Sequence, residues 1–238
     1  MPLSPLYTDD TGDVIMEDRI KILGVEMDCL TAKEAMLEAM RFMENDSVDT
    51  IEILSMDTLM SGQENEEWKE YTAGLKMVLP GEAEILEAAD IRDRVKLKET
   101  ENRTFLKIFM KYLQKNQKKV FVLAETEEEL TRVEEAIQRY NRGIRFTGDA
   151  LLGPDDNREE SVINYINGTE TDCILSVLPS PYQEQFIGRN RQLLNVKVWF
   201  GCGDALVRSY DERKIFRQIR HFFLKTMFRR RVEKQKED

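Results

Sequence analysis

The chain has 238 residues, of which 41% are hydrophobic and 34% are charged, and its formal net charge is −10. This length fits one α/β domain with a full core, with or without a small appendage, and the acidic balance argues against nucleic acid as a partner. A single histidine argues against a Ser-His-Asp mechanism and a multi-histidine zinc site, and the three cysteines predict a reducing compartment without disulfides.

The charge is unevenly distributed along the chain. Residues 208–238 contain 11 Lys and Arg against five Asp and Glu, whereas residues 1–207 carry a net charge of −16. Residues 1–16 lack the apolar stretch of a signal peptide, and no apolar run approaches the ~20 residues that span a bilayer. We therefore predict an irregular tail over residues 1–17, one domain over residues 18–207 and a basic helical appendage over residues 208–238.

Short apolar segments alternate with helical patterns along the whole domain. The apolar segments predict strands at residues 20–25, 50–55, 76–79, 120–124, 144–147, 173–178 and 196–201. Apolar stripes and N-caps, including Thr31 and Thr126, predict helices after residue 31 and at residues 66–73, 82–89, 103–116, 127–140, 159–166, from 181 and at 211–231. This alternation predicts an α/β fold with a mainly parallel sheet covered by helices on both faces.

The segment that follows the strand beginning at Cys173 carries the first candidate site. A Pro-Ser-Pro break leads into a helix, and Gln183 and Glu184 lie in its first turn. Ligands of open α/β sheets bind where a strand passes into a helix, and the helix N-terminus favours a phosphate there. The alternative is an ordinary strand-to-helix corner in which an acid complements the helix dipole.

Two other strand ends carry residues that suit a site. Gly201 and Gly203 close the last strand, where they either admit a ligand close to the backbone or form a tight turn. Glu82 and Glu84 follow the third strand and Asp57 follows the second, where a partly desolvated carboxylate serves as a general base. The alternative is that these acids only complement helix dipoles.

The basic helix at the C-terminus has aromatic residues at helical spacing, among them Phe216 and Phe223. Basic residues that include Arg229, Arg230 and Arg231 occupy the rest of its surface. Such a helix suits the surface of an anionic membrane. It also suits docking on the acidic domain, and the sequence leaves both alternatives open.

Several of these motifs, in this order, resemble the WecG/TagA/CpsF family of bacterial glycosyltransferases. The resemblance runs from about residue 20 to residue 231 and includes the opening Leu23-Gly24-Val25, the segment Pro179–Glu184, the glycine-rich strand end and the tail rich in arginine and aromatics. The family's Gly-x-Pro-x-Gln-Glu pattern is matched with Pro179 at the glycine position.

The resemblance implies a Rossmann-like, inverting hexosyltransferase of the cytoplasm, peripheral to the inner face of the plasma membrane. It implies transfer of an N-acetylmannosamine-type sugar from a UDP-sugar to a polyprenyl-diphosphate-linked acceptor in cell-surface polysaccharide or teichoic acid synthesis. No metal or other cofactor is implied, and homo-oligomerisation is left open. Gln183, Glu184 and Arg94 are implied to bind the substrate, and the tail to meet the membrane and help complete the site.

The sequence departs from the family pattern at functional positions. The family's Thr-x-Asn falls on Ile53-Leu54-Ser55, its proposed catalytic aspartate falls on Gly81, the Gly-x-Asp after Arg94 is absent, and Val207 stands where another aspartate is expected. Glu82 or Glu84 is the candidate replacement for the base. The alternative function is a catalytically inactive member that binds a UDP-sugar or assembles at the membrane.

Overall fold

The computed structural model of the protein describes residues 19–203, 205–206 and 214–237, and in the last segment the side chains of residues 224–235. The strands are β1 Arg19–Ile22, β2 Val25–Asp28, β3 Asp49–Leu54, β4 Met77–Pro80, β5 Lys119–Ala124, β6 Arg145–Leu151, β7 Cys173–Ser176 and β8 Val198–Gly201. The helices are α1 Ala32–Phe42, α2 Met56–Gly62, α3 Glu66–Ala73, α4 Ala83–Ala88, α5 Arg94–Glu101, α6 Thr104–Lys115, α7 Glu127–Tyr140, α8 Glu159–Gly168, α9 Tyr182–Asn190 and α10 Lys214–Glu237. The predicted tail over residues 1–17 lies outside the described residues.

Six strands form one parallel sheet in the order β4-β3-β8-β7-β5-β6. The predicted α/β class with a mainly parallel, Rossmann-like sheet is therefore confirmed. In the register of the sheet, Gly201 of β8 lies between Glu52 of β3 and Ser176 of β7. The carboxyl ends of these three central strands consequently open onto one edge.

The prediction of a single strand over residues 20–25 is wrong. These residues belong to an antiparallel hairpin of β1 and β2, which lies outside the six-stranded sheet. Leu23 and Gly24 both have positive φ, 51° and 83°, which reverses the chain in a tight turn. Asp28 then ties the hairpin to β4 by accepting a hydrogen bond from the Val78 N–H at 2.8 Å. The turn was hidden because Leu23 and Gly24 lie between the apolar residues Ile22 and Val25.

Two apolar cores lie on opposite faces of the sheet because side chains alternate along each strand. Val120 and Val122 of β5 pack with α1, α6 and α7, whereas Phe121 and Leu123 pack with the hairpin, α2, α8 and α9. Helices therefore cover both faces, as the alternation predicted.

The two predicted N-caps are confirmed in detail. Thr31 and Thr126 each form a capping box, in which the threonine side chain and a glutamate three residues later satisfy each other's backbone N–H groups. Helix α5 was not predicted, and it has no buried residue and hence no apolar stripe to reveal it. Helix α2 was not predicted either, and Ser55 caps it.

The second half of α10 docks on the body. Phe228 and Val232 are buried in the core beside α2 and α4. Lys225 pairs with Glu84 at 3.0 Å, and Arg229 pairs with Glu87 at 2.9 Å. Residues 224–235 therefore dock on the acidic domain, which is one of the two alternatives that the sequence left open. Among the described residues, none of the helices has both the length and the apolar character to cross a membrane.

Candidate functional site

A cleft of about 230 Å³ opens at the carboxyl edge of the sheet, where β3, β4, β7 and β8 pass into their loops. This is the edge at which open α/β sheets bind ligands. Its polar side chains come from five segments of the chain and are Glu52, Ser55, Asp57, Thr58, Glu82, Arg103, Glu129, Ser180, Gln183 and Glu184. The sequence prediction placed its site at this same edge.

Gln183 and Glu184 both line the cleft from the first turn of α9. The loop after β7 delivers them there, and both side chains are almost wholly buried, at 3% and 1% exposure. The Gln183 Nε2 donates a hydrogen bond to Glu52 Oε1, and the Ser180 Oγ donates one to Glu184 Oε1 at 2.9 Å. The predicted glutamine and glutamate are therefore held in fixed positions at the cleft wall.

Glu52 is a cleft residue that the sequence interpretation missed. It lies inside β3, is 1% exposed, and lines the cleft next to Gln183. Burial raises the pKa of Glu52 well above its ordinary value, the nearby Glu184 raises it further, and the hydrogen bond from Gln183 offsets only part of this. Burial likewise raises the pKa of Glu184 against the opposing effects of Trp68 and Ser180. The signal in the sequence was an acid between the two isoleucines of the second predicted strand.

Of the two candidate bases, Glu82 lines the cleft and Glu84 does not. Glu82 is the N-cap of α4, and its Oε2 accepts a hydrogen bond from the Met56 N–H at 3.0 Å. Glu84 instead faces α10, where it pairs with Lys225. Asp57, in the first turn of α2, also lines the cleft.

Gly81 occupies the position to which the resemblance assigns a catalytic aspartate, and the surrounding backbone is too close for a side chain to fit there without movement. A Cβ on residue 81 would lie 2.9 Å from the Leu54 carbonyl oxygen and 3.2 Å from Ile53 Cγ2. The Gly81 N–H donates to that same carbonyl at 2.8 Å. The loss of the aspartate is therefore built into the packing of β3 against β4.

Arg94 and Arg103 both follow β4 and α4 in the chain, but only Arg103 lines the cleft. Arg94, the predicted substrate-binding residue, is exposed at the start of α5 and does not line the cleft. Arg103 does line it, from a left-handed position (φ 50°, ψ 45°) just before α6. Among the residues that the structure describes, it is the only lysine or arginine in the cleft lining. Arg103 also lines a smaller, apolar cavity that adjoins the cleft.

The two glycines at the end of β8 differ in role. Gly203 lines the cleft with open space beside its α-carbon and a φ of +46°, which fits both a tight turn and close approach of a ligand. Gly201 does not line the cleft, and a Cβ there would collide with the Glu52 carboxyl. Gly201 therefore makes room for Glu52.

The carboxylates in this acidic cleft differ in their surroundings. Glu82 accepts from a backbone N–H, and Glu129 accepts from the Thr126 N–H in the capping box of α7. Glu52 and Glu184 have raised pKa values. Arg103 and the N-terminus of α9 are the features of the described cleft that favour an anionic ligand.

The residues predicted to contact a membrane lie in different places. Arg231 Nη1 donates to the Met60 carbonyl at 2.6 Å, Arg229 pairs with Glu87, and Arg230 is exposed. The side chains of Phe216 and Phe223 lie outside the described residues.

Comparison with known proteins gives a family. No curated protein matches the chain. The family model described as glycosyl transferase WecG/TagA/CpsF family matches residues 20–208, which is well over half of the chain and includes every cleft residue described above. The chain therefore belongs to the WecG/TagA/CpsF family of glycosyl transferases.

Proposed function

We propose that the protein transfers a hexosamine-type sugar, such as N-acetylmannosamine, from a UDP-sugar to a polyprenyl-diphosphate-linked acceptor in cell-surface polysaccharide or teichoic acid synthesis. The observation that carries this proposal is that Gln183 and Glu184, which match the family's Gln-Glu pair, lie buried in the wall of the cleft at the carboxyl edge of the sheet. A family motif and the ligand-binding edge of the fold thus coincide at one place.

The reaction needs a base and a stabilised leaving group. A hydroxyl of the acceptor attacks the anomeric carbon, its proton passes to a carboxylate, and the bond from that carbon to the UDP oxygen breaks with inversion. Glu82 is the proposed base because it lines the cleft, and Glu84 is excluded from that role by its place beside α10. Arg103 and the N-terminus of α9 are the proposed stabilisers of the leaving diphosphate.

A non-catalytic function is the second candidate, and Gly81 favours it. The backbone at residue 81 excludes the aspartate that the resemblance assigns to catalysis. A protein of this kind would bind a UDP-sugar in the same cleft without turning it over. It would then act as a sensor or as an assembly partner at the membrane.

The proposed setting is the inner face of the plasma membrane, where the lipid-linked acceptor lies. The exposed Arg230 and the excess of basic residues in the appendage support an electrostatic contact with anionic lipid. The proposed reaction uses no metal or other cofactor, so turnover that persists in EDTA supports it.

The test is UDP release in the presence of a short-chain polyprenyl-diphosphate-linked sugar, measured for the wild type, Glu82→Gln and Glu84→Gln. The glutamine at residue 82 keeps an acceptor for the Met56 N–H but removes the base. We expect the loss of one base to lower kcat by about 10²–10⁴-fold in Glu82→Gln and to leave Glu84→Gln close to the wild type. Wild-type UDP binding without turnover on any acceptor would favour the non-catalytic function, and unchanged kcat in Glu82→Gln would remove the assignment of the base.

A further inference from the structure

Glu52 is a buried acid that the proposed reaction does not use. It lies in the interior of β3 at 1% exposure, while its neighbours Ile51, Ile53 and Leu54 are apolar. Burying an ionisable carboxyl is unfavourable even when it has a partner, and replacing such a carboxyl together with its partner by apolar side chains of similar volume is often neutral or stabilising. Folding alone therefore does not explain a glutamate at this position.

The hydrogen bonds of Glu52 are also incomplete. Its Oε1 accepts from Gln183 Nε2, but its Oε2 has no partner among the described residues, and neither has Gln183 Oε1. A buried polar atom without a partner is destabilising and is uncommon in native proteins. The unused hydrogen-bonding atoms of the pair thus lie where the pair lines the cleft.

A second position is adapted to Glu52. Gly201 lies directly opposite Glu52 in the register of β3 and β8, and any side chain at residue 201 would overlap the Glu52 carboxyl. The φ of Gly201 is not positive, so the backbone conformation does not itself require glycine. Space for Glu52 is the structural reason for this glycine.

We propose that Glu52 is a positioning residue of the cleft: it fixes the side-chain amide of Gln183 at the cleft wall, and Gly201 is glycine because Glu52 fills the adjoining space. This inference rests on the proposed function, since Gln183 is the residue taken to bind the nucleotide-sugar. The Glu52 carboxyl accepts from one end of the amide, so the orientation of the other end is set before the ligand arrives. Pre-organisation of this kind strengthens binding because less freedom is lost when the ligand enters.

Two variants of Glu52 separate positioning from a structural role. Glu52→Gln keeps an acceptor for Gln183 Nε2, and Glu52→Leu keeps the volume but removes the acceptor. For Glu52→Leu, which leaves the buried Gln183 Nε2 without its partner, we expect a lower melting temperature than the wild type together with about tenfold weaker binding of UDP-sugar in isothermal titration. For Glu52→Gln we expect both values close to the wild type. Asp28→Asn is the matched control, because Asp28 is a buried acid away from the cleft, and we expect it to leave the affinity unchanged.

The outcomes that overturn the proposal are distinct from failure of the proposed function. Wild-type affinity in Glu52→Leu, or a fall in melting temperature without a change in affinity, would show that Glu52 is only structural. Binding of UDP-sugar by the wild-type protein without transfer to an acceptor would refute the transferase function and leave the positioning role of Glu52 intact. Running the titration with UDP as well as UDP-sugar identifies the group that Gln183 contacts: an equal loss for both ligands indicates the uridine diphosphate, and a loss for UDP-sugar alone indicates the sugar.

A double-mutant cycle tests the packing claim even if Glu52→Leu does not fold. Gly201→Ala should lower the melting temperature of the wild type because its methyl group collides with Glu52. The same change in a Glu52→Ala background should have little effect, since the space is then empty. An equal loss in both backgrounds would refute the reason given for Gly201.

Discussion

The close packing at Gly81 predicts a measurable cost for the smallest possible side chain. In Gly81→Ala the new Cβ would lie 2.9 Å from the Leu54 carbonyl oxygen, closer than such atoms can approach, so the strand ends must move apart. That movement also strains the 2.8 Å hydrogen bond from the Gly81 N–H to the same oxygen. Overpacking of this kind destabilises by about 1–3 kcal/mol.

For a domain of this size, such a loss of stability lowers the melting temperature by about 2–12 °C. The matched control is Gly168→Ala at the end of α8, where a Cβ would meet nothing within 4 Å. That change should be neutral or stabilise by up to about 1 kcal/mol. Thermal and urea unfolding of both variants measure the difference.

Gly81→Asp extends the same reasoning to function. It should be less stable than Gly81→Ala, because it adds a larger, charged side chain to the same space. If Gly81→Ala were as stable as Gly168→Ala, or if Gly81→Asp folded normally and gained turnover, the claim that the packing excludes the family's aspartate would be wrong.

Three further predictions concern the docked helix, the buried acids and the cleft arginine. Phe228→Ala should destabilise by about 3–5 kcal/mol in urea unfolding because Phe228 is fully buried, whereas the exposed Met227→Ala should change stability by less than about 0.5 kcal/mol; equal effects would contradict the docking of α10. Burial raises the pKa of Glu52 above its ordinary 4.5 and also raises the pKa of Glu184, so the folded state holds these protons to a higher pH than the unfolded chain does. The free energy of unfolding should therefore fall as the pH rises above 4.5, and Glu52→Gln should reduce that slope; a slope unchanged in Glu52→Gln would argue against the raised pKa of Glu52. Arg103→Ala should weaken UDP binding by about 10–100-fold in titration, and Arg94→Ala should not; the reverse result would restore the prediction from the sequence.

The sheet and most helices follow from local chemistry that a sequence displays. Short apolar strands bounded by caps predict a parallel sheet, and Thr31 and Thr126 carry their capping partners three residues away. The hairpin of β1 and β2 was not predictable from the same pattern, because its turn at Leu23 and Gly24 lies inside an apolar run. Helix α5 lacked any buried residue and so gave no periodic signal.

The cleft was only partly predictable, and the reason is the register of the sheet. Gln183, Glu184, Asp57 and Glu82 follow strand ends, and strand ends of a parallel sheet meet at one edge. The pairing of Glu52 with Gly201 depends on which strands are neighbours, and β3 and β8 are far apart in sequence.

Arg103 could not be predicted for a related reason. It reaches the cleft through a left-handed residue between α5 and α6. Neither strand periodicity nor a known motif marks that residue in the sequence. Arg94 was chosen from the resemblance alone, and the chain turns it outward at the start of α5.

The account depends most directly on whether a uridine diphosphate group binds beside Gln183. Thermal unfolding of the wild type and Gln183→Ala in a titration of UDP measures this, because a ligand that binds only the folded state stabilises by about 2.7 kcal/mol at a hundred times its Kd. The account predicts a melting temperature that rises with UDP in the wild type and a much smaller rise in Gln183→Ala. An absent rise in the wild type, or the same rise in both proteins, would contradict it.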